Sequence, residues 1–306
     1  MAQARGTFAE LYDNVDKAVF TLLFDAQKEL PKIWSKVFNI KTSDKKFERV
    51  MSVTGMGDVP EKGEGAAYTS DVIRVGWTKD YTHLEYGMMF EVTQTALEDD
   101  QYDQLAQHAR WLMFSARVVE EKQAHAVFNN GFGSEQTPDG VALFSSAHVL
   151  KGGGTARNIL SAAADLSATS LQQALVDWQN QTKVESGQLV APASDLVLFV
   201  PPDLEFTADR ILNSTLLPGS ADNDRNPIKA RRNWTLIVSP YLTDSDAWFV
   251  LSANKKAHGI TSYTRVPISM EPAMTDPRTR NRLYPVRFRR SWGASFWQGT
   301  FGSPGV

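Results

Sequence analysis

The stretch from Thr95 to Gly131 carries an uninterrupted helical repeat, so whatever surrounds it must pack against one long rod. Thr95-Ala96-Leu97-Glu98 reads as a capping box, in which the Thr hydroxyl accepts an orphan backbone N–H and the Glu reaches back to the cap. Asp99, Asp100 and Asp103 fall in the first turns, where negative charge complements the positive end of the helix dipole. That acidic cluster has a structural reason before any catalytic one. Tyr102, Leu105, Ala109, Leu112, Ala116 and Val119 recur at three- and four-residue steps along one side, and Trp111, Met113, Phe114 and Val118 widen the stripe. Asn129-Asn130-Gly131 supplies the stop, because Gly can take the left-handed conformation that closes a helix. At about 1.5 Å per residue the rod reaches on the order of 50 Å, more than a small domain needs to cross its own core.

The chain has 306 residues, near the size at which one hydrophobic core stops growing, and two domains are expected. Hydrophobic residues at 42% and charged residues at 22% fit an ordered chain, and a net charge of -3 argues against a dedicated nucleic-acid binder. Cysteine is absent, which excludes disulfides and thiol chemistry. No apolar run approaches the roughly 20 residues of a membrane span. Met1-Ala2-Gln3-Ala4-Arg5 leads into no signal-peptide core, so the expected place of work is solution, without a membrane.

Residues 8 to 30 place Phe8, Leu11, Tyr12, Val15, Val19, Leu22, Leu23 and Leu30 among charges, an amphipathic arm that Pro31 interrupts and that needs a surface to lie on. Two strand-like runs follow, Phe47 to Thr54 and Ala67 to Trp77, around a turn-rich segment from Gly55 to Gly65. This predicts a long hairpin whose tip has little to bury in its own subunit. Lys79 to Val92 is a further extended run that leads into the capping box. From Ser170 helix and strand alternate: a helix with Leu171, Ala174, Leu175 and Trp178 on one face, a strand from Leu196 to Val200, and a short helix from Leu204 to Leu212. Strands follow from Trp234 to Val238 and from Ala247 to Leu251. Residues 166 to 256 therefore read as a compact α/β unit. Extended runs Ile260 to Met270, Arg282 to Ser291 and Ala294 to Phe301, with a turn at Trp292-Gly293, are expected to return to the long helix and the hairpin base.

Ser145, His148 and Asp139 superficially offer a nucleophile, a base and an orienting acid, yet no Gly-x-Ser-x-Gly elbow surrounds the Ser. A hydrolase is the minor reading, and no catalytic residue is assigned. Gly152-Gly153-Gly154 lacks the Gly-Lys-Ser/Thr ending of a phosphate loop and reads as a turn. The five histidines are scattered without metal-ligand spacing, so no metal or cofactor is expected, and His108 and His125 are placed on the flanks of the long helix. Arg278, Arg280 and Arg282 alternate, as do Arg287 and Arg289; on strands each set would share a face, for ion pairing between strands or subunits, or for a polyanion.

The order of these parts resembles the major capsid proteins of tailed phages with the Hong Kong 97 fold, within them the Mu-like major head subunit group. The resemblance is carried by Glu64-Gly65, Phe90-Glu91-Val92-Thr93, the run from Ala96 to Tyr102, and Ala126-Val127-Phe128-Asn129-Asn130-Gly131. The run from Asp139 to His148 is its most characteristic stretch, and Val200-Pro201-Pro202-Asp203-Leu204-Glu205 and Val238-Ser239-Pro240-Tyr241-Leu242 add to it.

The resemblance implies an α+β chain with an amino-terminal arm over residues 1–46, an extended hairpin loop over 47–92, and a peripheral domain with the spine helix over 93–165. It further implies a compact α/β axial domain over 166–256 and return strands of the peripheral domain over 257–306. The implied function is that of a non-enzymatic head protein that self-assembles, as hexamers and pentamers, into the icosahedral shell around double-stranded DNA. Portal, separate scaffold and cementing proteins are the implied partners, with DNA held non-specifically, and the implied location is the virion capsid, assembled in the host cytoplasm. Inter-subunit contacts are expected at Met56, Val59, Lys62, Glu64, Phe8, Tyr12, Arg278, Arg280, Arg287 and Arg289. Some members of the fold cross-link a loop lysine to a neighbour's asparagine; Lys62 lies at the tip, but no partner is identifiable and a solvated lysine is expected. A cellular protein-cargo compartment of the same fold is the nearest alternative.

Overall fold

The computed structural model describes residues 32–73, 75–98, 102–189, 194–216 and 225–306. The arm that contains Phe8 and Tyr12 lies outside the described residues. In chain order the elements are α1 (Trp34–Val37), β1 (Asn39–Thr42), β2 (Phe47–Val53), β3 (Val75–Thr82), β4 (Leu84–Val92), α2 (Gln94–Glu98) and α3 (Tyr102–Asn129). They continue with β5 (His148–Val149), β6 (Thr155–Ala156), α4 (Ala168–Gln181), β7 (Asp195–Val200), α5 (Glu205–Asn213) and α6 (Pro227–Arg231). The last are β8 (Asn233–Val238), β9 (Trp248–Ser252), β10 (Ile260–Met270), β11 (Met274–Thr275), β12 (Arg282–Ala294) and β13 (Thr300–Ser303).

Two sheets dominate. One is five-stranded: β10 lies between β1 and β12, and β12 pairs antiparallel with β4 along its other edge. The other is four-stranded in the order β13-β9-β7-β8, with β7 and β8 parallel. Strand alternation splits this second sheet between two cores. Leu196, Leu198, Val200, Trp248 and Val250 face α4 and α5, where Leu171, Trp178 and Ile211 meet them. Val197, Phe199, Phe249 and Leu251 face the opposite way, onto Phe128, Phe144 and Trp34. Because both faces are covered, β7 and β9 read as continuous apolar runs.

The long helix α3, 28 residues, joins the two sheets. Leu112 and Met113 pack on Tyr284, Val286 and Phe288 of the five-stranded sheet, while Ala124, Val127 and Phe128 enter the core beneath the four-stranded one. Its length therefore has a use inside the subunit: one rod has to reach two cores. Its start differs from the capping-box expectation. The hydroxyl of Thr93, not Thr95, accepts the Ala96 N–H at 3.3 Å, and helical geometry begins at Gln94. Trp111 and Phe114, expected to widen the buried stripe, point outward, with Trp111 61% exposed. His125, expected on a flank, is buried between Phe199 and Tyr241.

Three further boundaries differ. The second hairpin strand starts at Val75, not Ala67, and the extended run to Val92 breaks at His83, after which β4 joins the body sheet. At Gly293 the chain does not turn; β12 continues through it, paired with Thr261, and the absent side chain leaves room for the Tyr81 ring, 3.1 Å from where a Cβ would stand. The last strand does not return to the long helix: β13 pairs with β9 and closes the four-stranded sheet.

Candidate assembly surface

Among the described residues the hairpin strands β2 and β3 pair only with each other, from Phe47 opposite Thr82 to Val53 opposite Val75. Its root is bolted to the body. The Lys79 ammonium donates to the Gln136 carbonyl at 2.6 Å, the Tyr81 hydroxyl and Ser295 share a 2.5 Å hydrogen bond, and the Lys151 ammonium sits 3.6 Å over the Trp77 ring. Burial pushes the Tyr81 phenol far above its usual range, against the pull of the Ser295 hydrogen bond. Across the ribbon Arg49 and Asp80 form a bidentate pair with both distances at 2.6 Å, whose hydrogen bonds hold the exposed Asp80 carboxyl below its usual range.

Beyond Val53 the ribbon has little under it. Met56, Tyr68, Val72, Ile73 and Val75 are exposed, and Val59 is 95% exposed. Lys62 and Glu64 are exposed as well, Lys62 with its ammonium 4.9 Å from the Tyr68 ring. The ribbon touches its own body where the Gln188 amide donates to Asp58 at 2.7 Å, a polar contact that covers none of these apolar side chains.

A complementary bare surface lies between α3 and β4. Met88, Leu112, Ala116, Val119, Val286 and Phe288 line an apolar groove of about 180 Å³, and Leu84, Met89, Trp111 and Phe114 are further exposed apolar side chains on the same strand and helix. Exposed apolar surface on this scale marks interaction sites. The basic residues Arg287 and Arg289 of β12 alternate with Val286 and Phe288 and so lie on the other face of the sheet, in ion pairs. Arg287 meets Glu85 at 3.3 Å and also Glu271, and Arg289 meets Glu85 at 3.5 Å, so strand-to-strand pairing is what these two do within the subunit. Arg278 and Arg280 lie in the turn between β11 and β12, not on a strand face. Arg280 takes the left-handed conformation at φ 61°, and its N–H donates to the Asp276 carbonyl at 2.8 Å.

Ser145, His148 and Asp139 come together only in part. The fully buried His148 ring lies flat on Trp297, with Nδ1 2.7 Å from Asp139 and Nε2 3.1 Å from the Asn158 carbonyl oxygen. Ser145 does not reach the ring: its hydroxyl accepts the Ala147 N–H, and its own N–H donates to Asn158. Burial alone would raise the Asp139 pKa, but hydrogen bonds from His148 and Thr137 outweigh it and hold the carboxyl low. These groups brace a buried loop, and Ser145 is not set up as a nucleophile. Gly152-Gly153-Gly154 is a tight turn between β5 and β6. Gly153 and Gly154 sit at φ 99° and 86°, and the Gly152 N–H donates to Glu185 at 2.8 Å.

Sequence reasoning missed three polar anchors: Asn158, His83 and Glu121. The Glu121 carboxylate accepts the N–H groups of Ile33 and Trp34 at 2.8 and 3.1 Å, which fixes α1 to the long helix; desolvation there pushes its pKa up to about 7. Little in the sequence signals this, because Glu120-Glu121 stands among Arg117, Lys122, Gln123 and His125 like an ordinary solvated helix face. Among the described residues no cluster of three potential metal ligands occurs, and no helix is long and apolar enough to cross a membrane.

A family model described as phage capsid protein matches residues 77–300. No curated protein matches. Solved structures share the fold at low identity. The capsid of the cyanophage P-SCSP1u is similar at a TM-score of 0.60 and 10% identity, covering 90% of this chain and 88% of that one. A virus-like particle from Pyrococcus furiosus gives 0.57 and 11%, covering 94% and 98%. Mycobacterium phage Che8 gives 0.55 and 13%, covering 90% and 93%.

Proposed function

The chain belongs to the phage capsid protein family, with the Hong Kong 97-like fold, and from that premise we propose how its copies build the shell of a tailed-phage or prophage head of the Mu-like group. Residues 47–92 act as the extended loop, 93–165 with 257–306 as the peripheral domain, 166–256 as the axial domain and 1–46 as the arm. The β13 strand is then lent by the last segment to the axial sheet.

The observation that carries this reading is a pair of exposed apolar surfaces on one subunit: a ribbon without a core beneath it, and a groove beside the long helix. A neighbour's ribbon seals a neighbour's groove, and repetition around closed symmetry turns modest contacts into a stable shell. Met56, Val59, Lys62 and Glu64 lie at the ribbon end of that contact; Arg287 and Arg289 lie on the face of the sheet away from the groove, open to a further neighbour, and Arg278 and Arg280 lie in the turn that precedes their strand. Hexamers and pentamers, a portal, a separate scaffold, cementing proteins and packaged double-stranded DNA complete the assembly, which forms in the host cytoplasm. The subunit does this work without enzymatic chemistry.

Expression of the full chain and electron microscopy test the proposal: closed particles of uniform size are expected, and a monomer at all concentrations would refute it. The similarity to a virus-like particle along nearly its whole length favours a second reading, a shell around protein cargo. Nuclease-protected DNA in purified particles separates the two.

A further inference from the structure

The cleft between α3 and the sheet does not end with its apolar half. β12 sends Val286, Phe288, Arg290 and Trp292 to the same side, and past Tyr86, which lines both halves, the wall becomes polar. Here a hollow of about 160 Å³ is walled by Arg290 and Trp292 of β12, Gln123 and Asn130 of α3, and Glu135. Glu135 is neutralised by Lys79 at 3.3 Å. Ser291, also in the wall, is engaged by Nδ1 of His83 at 3.1 Å, while Nε2 of that ring meets the Ser43 hydroxyl at 3.1 Å. The side-chain amides of Gln123 and Asn130 have no partner among the described residues. Behind the wall the charges do not balance. Glu120 serves two buried guanidinium groups, Arg117 at 2.6 Å on one oxygen and Arg290 on the other, and Glu121 is occupied by the N–H groups of Ile33 and Trp34. Arg290 is only 7% exposed, yet its Nε, the Arg117 Nε and the Trp292 indole N–H are buried donors without an acceptor. A buried cation with spare donors is costly unless an anion meets it.

The ribbon carries the matching groups. Asp58 is taken by Gln188, Asp71 accepts the Gly57 N–H, and Lys62 leans on Tyr68. That leaves Glu61 and Glu64, both exposed and without a partner among the described residues. The reach agrees as well. From Val59 to Glu61 or Glu64 an extended chain spans roughly 7–17 Å at about 3.3 Å per residue. From Ala116 in the apolar half to Gln123 in the hollow, α3 rises about 10 Å. We propose that the hollow is a carboxylate-binding pocket in which Arg290, backed by Arg117, receives a carboxylate of the Glu61 and Glu64 pair from the ribbon of a second copy of this chain. Gln123, Asn130 and Trp292 supply the further donors. The inference rests on the shell reading for that second copy and adds the contact that sets register: Met56 and Val59 fill the apolar half, and the carboxylate fixes how far along the cleft they sit.

Two sets of full-length variants test the pocket. Glu61→Lys with Glu64→Lys is expected to melt as wild type does, because neither carboxylate has a partner in its own subunit, and to form no particles. Glu61→Gln with Glu64→Gln should raise the concentration at which particles appear about tenfold or more, the scale of one charge-assisted hydrogen bond. The chain has no cysteine, so a designed pair reports the contact directly. Gly63→Cys, where a side chain meets nothing within 4 Å, combined with Gln123→Cys keeps both carboxylates and should give a ladder of disulfide-linked multimers on a non-reducing gel after mild oxidation. Either cysteine alone stops at dimers. Should the lysine variant melt lower than wild type, the ladder decides. Lysine variants that assemble at the wild-type concentration, or a double-cysteine chain that stops at dimers, overturn the pocket and leave the shell reading standing; a wild-type chain that never forms particles removes both.

Discussion

Asn158 shows how much one buried side chain can organise. Its carbonyl oxygen accepts from Ser145 N–H and faces His148, and its amide donates to the Leu143 carbonyl at 2.8 Å and to Thr300 at 3.2 Å. Truncation strands several polar groups at once, so Asn158→Ala is expected to cost roughly 2–5 kcal/mol, measured by urea unfolding. Ser145→Ala removes one partly buried hydroxyl contact and is expected to cost about 1 kcal/mol or less. Glu121 offers a pH test. Its folded pKa of about 7 lies above the ordinary 4.5, so the folded state holds the proton more tightly than the unfolded one. Stability contributed there falls as pH rises from about 4.5 and is fully lost above 7. Comparing wild type with Glu121→Gln from pH 4.5 to 8, the difference in unfolding free energy should shift in the variant's favour by up to ~3 kcal/mol. No shift, or one of opposite sign, would show that the carboxylate is comfortable ionised. The lowered His258, near 4, acts in the opposite direction and cancels in this difference, whereas His125, also near 4, has Nδ1 3.6 Å from the Glu121 carboxylate and is read together with it.

At the scale of elements, the hairpin and the long helix follow different physics. α3 is held by burial on two sheets, whereas the hairpin's ladder stops at Val53 and Val75 and its far half is held by polar contacts such as Gln188 to Asp58; two isolated strands are marginal in water. Substituting polar groups on the ribbon should therefore cost the subunit little. The double variant Met56→Asp with Val59→Asp is expected to change subunit stability by about 0.5 kcal/mol or less and to abolish particles in electron micrographs. Trp111→Arg makes the same test from the exposed side of the long helix: an unaltered melting temperature with no shells is the expected pair of results. Normal particles from both variants would remove these surfaces from the contact.

For the molecule as a whole, the shared strands decide how it unfolds. β7 and β9 send alternate side chains into two cores, so neither core survives loss of the strand pair. Leu198→Ala on one face and Phe199→Ala on the other are each expected to cost about 2–5 kcal/mol. Circular dichroism and tryptophan fluorescence should still report one coincident transition. Two separated transitions would mean that the peripheral and axial halves are independent units.

Local periodicity and turn chemistry in the sequence determined the long helix, the hairpin, the α/β alternation and, through the order of its motifs, the family. These depend on residues close in the chain, where step length and glycine or proline placement act directly. Tertiary structure decided the rest. Which side of α3 is buried, that β13 joins the four-stranded sheet, that Gly293 continues a strand, and that His83, Glu121 and Asn158 serve as anchors all depend on partners well outside the local segment, many of them more than a helix or strand away. A polar side chain looks the same in sequence whether its hydrogen bonds go to water or to Ser291; only the closed packing that excludes water gives it a structural role.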